Sequence, residues 1–140
     1  MSTRASIRII ERSYKTQKDY ELKRNATKHV INLYHHCDGY PSGVGTDLQE
    51  YLRREWDDKP DWMGERIATD LVRGAIKDDD GNPDMDYRVA FGPHGDIQYG
   101  YEIDCDERTL TAYTFSYGSD RNKWTRTVAT PERENKTNNE

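Results

Sequence analysis

The stretch TKHVINLYHHCDGYPSGVGTDLQEYL, Thr27 to Leu52, decides the fold, because the backbone period changes inside it. Up to His36 the pattern has period two. Val30, Asn32 and Tyr34 fall on one face of a strand, and Ile31, Leu33 and His35 on the other. From Leu48 the period is helical. Leu48, Tyr51, Leu52 and Trp56 share one face. Between the two lies a loop with three glycines, and Thr46 with Gln49 three residues on has the capping-box pattern.

Working outward, SIRIIERSY (Ser6 to Tyr14) predicts a strand before this one. The charged segment KTQKDYELKRN between them suits an exposed loop or hairpin tip. After Trp56, Pro60 ends the helix. A second helix is expected from Gly64 to Ile76, with Ile67, Ala68, Leu71, Val72 and Ala75 as its apolar stripe. KDDDGNPDMD reads as a surface loop. Beyond it YRVAFG, DIQYGYEID, RTLTAYTFSYG and KWTRTVAT return to period two, separated by turn residues. In the second of these, Ile97, Tyr99, Tyr101 and Ile103 line one face, while Gln98, Gly100 and Glu102 line the other.

The element order is β-β-α-α-β-β-β-β. It predicts an α+β fold: an antiparallel sheet of about five to six strands with two helices packed on one face. Residues 1–130 form one domain, and the polar tail 131–140 is expected to be disordered. The uncovered sheet face would carry Tyr113, Phe115 and Tyr117, an apolar surface open to a second copy or another partner.

Composition narrows the function classes. The chain has 140 residues, 33% of them hydrophobic and 34% charged. No apolar run approaches a membrane span and no signal-peptide pattern opens the chain, so a cytoplasmic, non-membrane protein is expected. The net charge of -5 conceals a segregation. Residues 1–30 carry +5, residues 38–107 carry -12 and residues 108–140 carry +2. An acidic middle repels nucleic acid and attracts basic surfaces. With a pI near 5.4, the chain is not read as a nucleic-acid binder despite the basic and aromatic residues of its first segment. Asp57, Asp58 and Asp61, then Asp78, Asp79, Asp80, Asp84 and Asp86, are the candidate partner-binding residues. With Asp104, Asp106 and Glu107 they form one negative band if the loops gather at one end.

The stretch from Tyr34 to Leu48 resembles a site in its residue types. A structural zinc centre needs convergent ligands, usually in closely spaced pairs, and neither C-x-x-C nor H-x-x-x-H occurs. An EF-hand register over the acidic loop would put its first ligand position on Ile76. No metal and no other cofactor is expected. A loop with glycines that enters a helix can hold a phosphate, but the Walker lysine is missing and Asp38 and Asp47 oppose an anion. If the loop is a site, its ligand-binding residues are His36, Asp38, Gly39, Tyr40, Gly43, Gly45 and Thr46, and a nucleotide-like molecule is its ligand. The competing expectation is structural: the glycines supply left-handed corners and Thr46 caps the helix. Cys37 with His35, His36 or His94 lacks an assignable third group, so no catalytic residue is named.

His36, Asp38, Gly39, Tyr40, Pro41, Gly43 and Gly45, followed by Gly95, Asp96, Ile97, Tyr99 and Tyr101, resemble the shared motifs of a family of small bacteriophage and prophage proteins. The resemblance covers roughly residues 28–105. Cys37 stands where that family has Trp or Ser, which removes the thiol from any shared chemistry. The resemblance implies a viral accessory protein acting in an infected bacterium, similar in class to inhibitors of host defence such as anti-CRISPR proteins. Its implied partner is a host defence protein or nucleoprotein complex, bound through the acidic segment.

Overall fold

The computed structural model describes residues 3–56 and 63–124. Along the chain run β1 (Ala5–Ser13), α1 (Gln17–Leu22), β2 (Thr27–His35), a π-helical turn (Pro41–Gly45), α2 (Thr46–Glu55), α3 (Gly64–Val72), β3 (Arg88–Ala90), β4 (Tyr99–Asp104) and β5 (Thr109–Thr114). The strands form one sheet in the order β3-β2-β1-β4-β5. The sheet is mixed, not antiparallel throughout. β1 pairs antiparallel with β2 but parallel with β4, from Ala5 opposite Tyr99 to Ile10 opposite Asp104. β3 and β4 therefore point the same way, and residues 91–98 return the chain across the sheet between them.

β1 takes the centre because it is apolar on both faces. Ile7 and Ile9 are buried on one side, and Ile10 is buried on the other. On the first side they join Leu33, Tyr101, Ile103, Leu110 and Ala112 beneath α2 and α3. α2 contributes Leu48, Tyr51 and Leu52, with Trp56 just beyond it, and α3 contributes Ile67, Ala68 and Leu71. The two amphipathic helices thus lie where their stripes predict. α3 is shorter than expected. It stops at Val72 because Gly74 turns left-handed at φ 85° and the Gly74 and Ala75 amides bond back to Leu71 and Asp70.

There are three α-helices among the described residues, not two. α1 sits in the hairpin tip between β1 and β2. Thr16 caps it by accepting from the Asp19 amide at 3.0 Å, and Lys23 ends it at φ 54°. It buries no residue, so it has no apolar stripe to betray it.

The second sheet face is roofed. Ile97 lies ahead of β4 and packs with Tyr34 and Phe115 on this side, away from Tyr101 and Ile103. Trp124 stacks edge-on against Tyr113 and Phe115 and lies 3.8 Å from the Arg8 guanidinium. Tyr117 stays fully exposed. The strand expected over KWTRTVAT begins at Lys123 and Trp124, which are not in a strand; its remainder lies outside the described residues, as does the tail 131–140.

Candidate functional site

β2 delivers its last residues to opposite sides, and the motif loop starts there. Asp38, not a glycine, takes the left-handed corner at φ 54°. Gly39, Gly43 and Gly45 are required for a different reason, close approach. A Cβ on Gly39 would stand 2.9 Å from Ala5 Cβ, and one on Gly43 would stand 2.3 Å from the Asp38 carbonyl oxygen. Gly45 lies against the Tyr101 ring, where a Cβ would be 3.1 Å away. The Gly39 amide donates to Thr3 O, and the buried Tyr101 hydroxyl donates to Gly39 O at 2.6 Å.

Thr46 does not cap α2. The π-helical turn runs straight into that helix, and Gly45 is already helical at the cap position. The Thr46 hydroxyl donates instead to Pro41 O at 3.1 Å. The amides of Gly43, Val44 and Gly45 are engaged with Tyr40 O and Asp38 O. These amides are spent inside the loop, so they are not offered to an anion.

His36 departs from the rest of the predicted ligand set. It sits with Tyr34, whose hydroxyl donates to Asp96 at 3.0 Å and lies 3.3 Å from His36 Nδ1. Arg4 Nε also reaches His36 Nδ1 and pairs with Asp96. His94 stacks on Tyr34 with ring centroids 4.0 Å apart. Cys37 is exposed, and its carbonyl lies 2.5 Å from His35 Nδ1.

His35, not His36, faces the acidic loop. It is buried, with Nε2 2.9 Å from Asp84 and Nδ1 3.5 Å from Asp86. Both ring nitrogens face oxygen atoms, Nε2 that of Asp84 and Nδ1 those of Cys37 O and Asp86. Asp86 also accepts from the His36 and Cys37 amides and from Arg88. Burial works against its charge, but the Arg88 hydrogen bond, His35 and the two amides prevail and hold its carboxyl below the usual range. Asp78 is likewise engaged, accepting from the Asp80 and Asn82 amides. Asp84 and Asp86 thus tie the acidic loop to the end of β2, while Asp79 and Asp80 project into solvent.

The motif loop and the acidic loop therefore meet. Asp47, in the first turn of α2, is pushed up to about 6, chiefly by burial and then by Asp84 and Glu50. His35 opposes the shift, and Asp79 adds to it. The Tyr40 phenol donates to Asp38 at 3.1 Å and is raised by that bond and charge, with Asp79 contributing. Asp38, Asp47, Glu50, Asp79 and Asp84 thus make one acidic end with Tyr40 among them.

The rest of the expected band does not join it. Asp104 and Asp106 lie at the opposite end of β4, where both pair with Arg12 at 3.1 and 2.9 Å. Asp57, Asp58 and Asp61 lie outside the described residues. Sequence reasoning weighed His35 only as a base beside Cys37, not as a partner of the acidic loop, and it left out Tyr87. The adjacent histidines at a strand end were the available signal, since one of the two had to face the helices.

Among the described residues no three His, Cys, Asp or Glu side chains converge as a metal site, and no helix is long and apolar enough to cross a membrane. The chain matches no protein-family model, no curated protein and no solved structure.

Proposed function

We propose that this chain is a non-enzymatic binding protein that docks its acidic end on a basic protein surface. One observation carries the reading: the half-buried Asp47 carboxyl, whose charge is disfavoured first by burial and then by Asp84 and Glu50, stands in an acidic end that exposes Asp79 and Asp80 to solvent. Like charges gathered around a half-buried carboxyl are costly to hold in isolation. A partner's cations relieve that cost on contact, and the same field steers the encounter. Tyr40, exposed beside Asp38, supplies an aromatic contact of the kind that interfaces favour. The phage-like motifs supply the setting, an infected bacterium with a host defence protein or nucleoprotein complex as the partner. The spent amides and flanking carboxylates weigh against a nucleotide-like ligand at the Asp38–Thr46 loop.

A lysine-rich peptide tests the reading. Titrated against the whole chain, it binds at low salt and weakens steeply as ionic strength rises toward about 0.5 M. Asp79→Lys combined with Asp80→Lys cuts affinity at least about tenfold. Those two positions are chosen because Asp78, Asp84 and Asp86 hold the loop itself together. Binding that ignores both salt and charge reversal would falsify the proposal.

A further inference from the structure

β1 pairs with the whole of β2, from Ser13 opposite Thr27 to Ala5 opposite His35. On the other side of β2, β3 reaches only Asn32, Leu33 and Tyr34. Among the described residues no strand adjoins the outer edge of Thr27–Ile31. β3 does not extend along it, because Gly92 and Pro93 follow Phe91 and a proline brings no N–H to a ladder. The chain leaves instead for the second sheet face, where His94 stacks on Tyr34. Thr27 to Val30 are exposed, as are Val89 and Phe91 at the end of β3. A bare edge beside apolar side chains is a template for another strand.

Two clefts flank this edge, one on each face. The larger, about 620 Å³, lies on the helix side between Ile9, Glu11, His29, Ile31, Gly64 and Glu65. The smaller, about 120 Å³, lies on the second face between Arg8, Ile10, Lys28, Val30, Pro93 and Trp124. Alternation along β2 sorts the side chains: His29 and Ile31 point to the first cleft, Lys28 and Val30 to the second. A strand laid beside Thr27–Ile31 alternates in the same way, so its consecutive side chains enter the two clefts in turn. The chemistry of the clefts differs. In the larger, Glu11 accepts from the Gly64 amide and His29 pairs with the Ser13 hydroxyl, which leaves an apolar floor of Ile9 and Ile31. In the smaller, Glu102 neutralises Arg8, while Lys28 has no ion-pair partner among the described residues. We infer that the edge of Thr27–Ile31 takes an extended segment of a partner protein as a further strand of the sheet. A large apolar side chain of that segment fills the helix-side cleft, and the aspartate or glutamate next to it in sequence lies over Lys28. Main-chain bonds to the edge supply affinity, and the alternate clefts supply selectivity. Glu65, exposed beside the larger cleft, disfavours an acid on that side. The inference does not rest on the acidic docking surface, which lies at the His35 end of β2.

Hydrogen exchange of the full chain, followed amide by amide, tests the open edge. The probe is a short peptide of alternating aspartate and isoleucine. At saturation it is expected to slow exchange at least about tenfold at those amides of Thr27–Ile31 that point away from β1. Its counterpart methylated on every backbone nitrogen has the same side chains but no main-chain N–H, and it binds at least about tenfold more weakly. Lys28→Glu lowers affinity for the unmethylated peptide at least about fivefold. A peptide of alternating lysine and isoleucine, which suits the acidic end of the chain, leaves the Thr27–Ile31 amides unchanged. Failure of the aspartate peptide to bind, or binding that leaves those amides exchanging freely, overturns the inference and leaves the docking reading intact. Outward amides already protected in the free chain overturn it too, because the chain itself or a second copy then fills the edge. Equal slowing by the aspartate and lysine peptides removes the role of Lys28 and overturns the inference as drawn.

Discussion

The hydroxyl of Tyr101, in the strand next to the centre of the sheet, donates to the carbonyl of Gly39, in the loop that leaves β2, at 2.6 Å. Both groups are buried. This contact joins the two halves of the motif pattern, which are separated by 62 residues. It also fixes the height of the loop above the sheet, and with it the start of α2 and Asp47.

Tyr101→Phe therefore leaves the Gly39 carbonyl without this donor in a site closed to water. The expected loss is about 1–3 kcal/mol. Urea denaturation reads it as a lower midpoint with an unchanged slope. A midpoint equal to that of the unmodified chain would show that the loop does not depend on this bond.

Gly43→Ala tests close approach against conformational freedom. The added methyl meets the Asp38 carbonyl oxygen at 2.3 Å, although Gly43 is not left-handed. Overpacking of this kind costs about 1–3 kcal/mol. Gly95→Ala is the control, because nothing lies within 4 Å of the added atom. The contrast in melting temperature between the two is the measurement, and equal values would refute the steric account.

The Asp47 carboxyl gives a pH dependence whose sign is fixed. Its folded value of about 6 lies above the 3.8 of an ordinary aspartate. The folded chain therefore holds the proton more tightly between those values. The stability gained is complete below about pH 4 and lost as the pH rises through 6. Asp47→Asn should flatten that segment of the stability curve. It should also stabilise the chain above pH 6 by roughly 1 kcal/mol, a figure reduced for solvent screening of a half-exposed group. Urea midpoints across this window, for both chains, decide the matter.

The two cysteines should react at different rates. Cys37 is exposed and Cys105 is buried, and burial, aided by Glu11 and Asp106, pushes the Cys105 thiol up to about 12. A thiolate is the reactive form. A disulfide-exchange reagent near neutral pH should therefore label one thiol per folded chain promptly and the second only after denaturant is added. Two fast thiols in the folded chain would contradict the burial of Cys105.

The sequence made the local elements legible and left the long-range ones hidden. The alternation in Thr27–His36 put Leu33 and His35 on one face and Tyr34 on the other, as found, but which of the two the helices cover was not legible. The stripes of α2 and α3 were equally plain. The parallel pairing of β1 with β4 was not, because strand direction depends on a crossover that leaves no periodic trace. The loop glycines were readable as constrained, but the constraint comes from Ala5, Asp38 and Tyr101, so no local conformational rule exposes it. The site was legible in its acids but not in its grouping. Asp47 and Asp79 belong together only because His35 draws Asp84 and Asp86 onto the end of β2.

The central position of β1 sets a problem of timing. Arg8 and Glu102 face each other across adjacent strands but stand 94 residues apart in sequence. A chain emerging from the ribosome can zip β1 to β2 at once, while the other edge of β1 waits for β4. Contacts of such long sequence separation slow folding. Until β4 arrives, an apolar strand flank is left open to other nascent chains. The charge that crowds the residues made in between keeps such half-made chains apart. The acidic segment so gains a task during synthesis that is separate from any partner it meets afterwards.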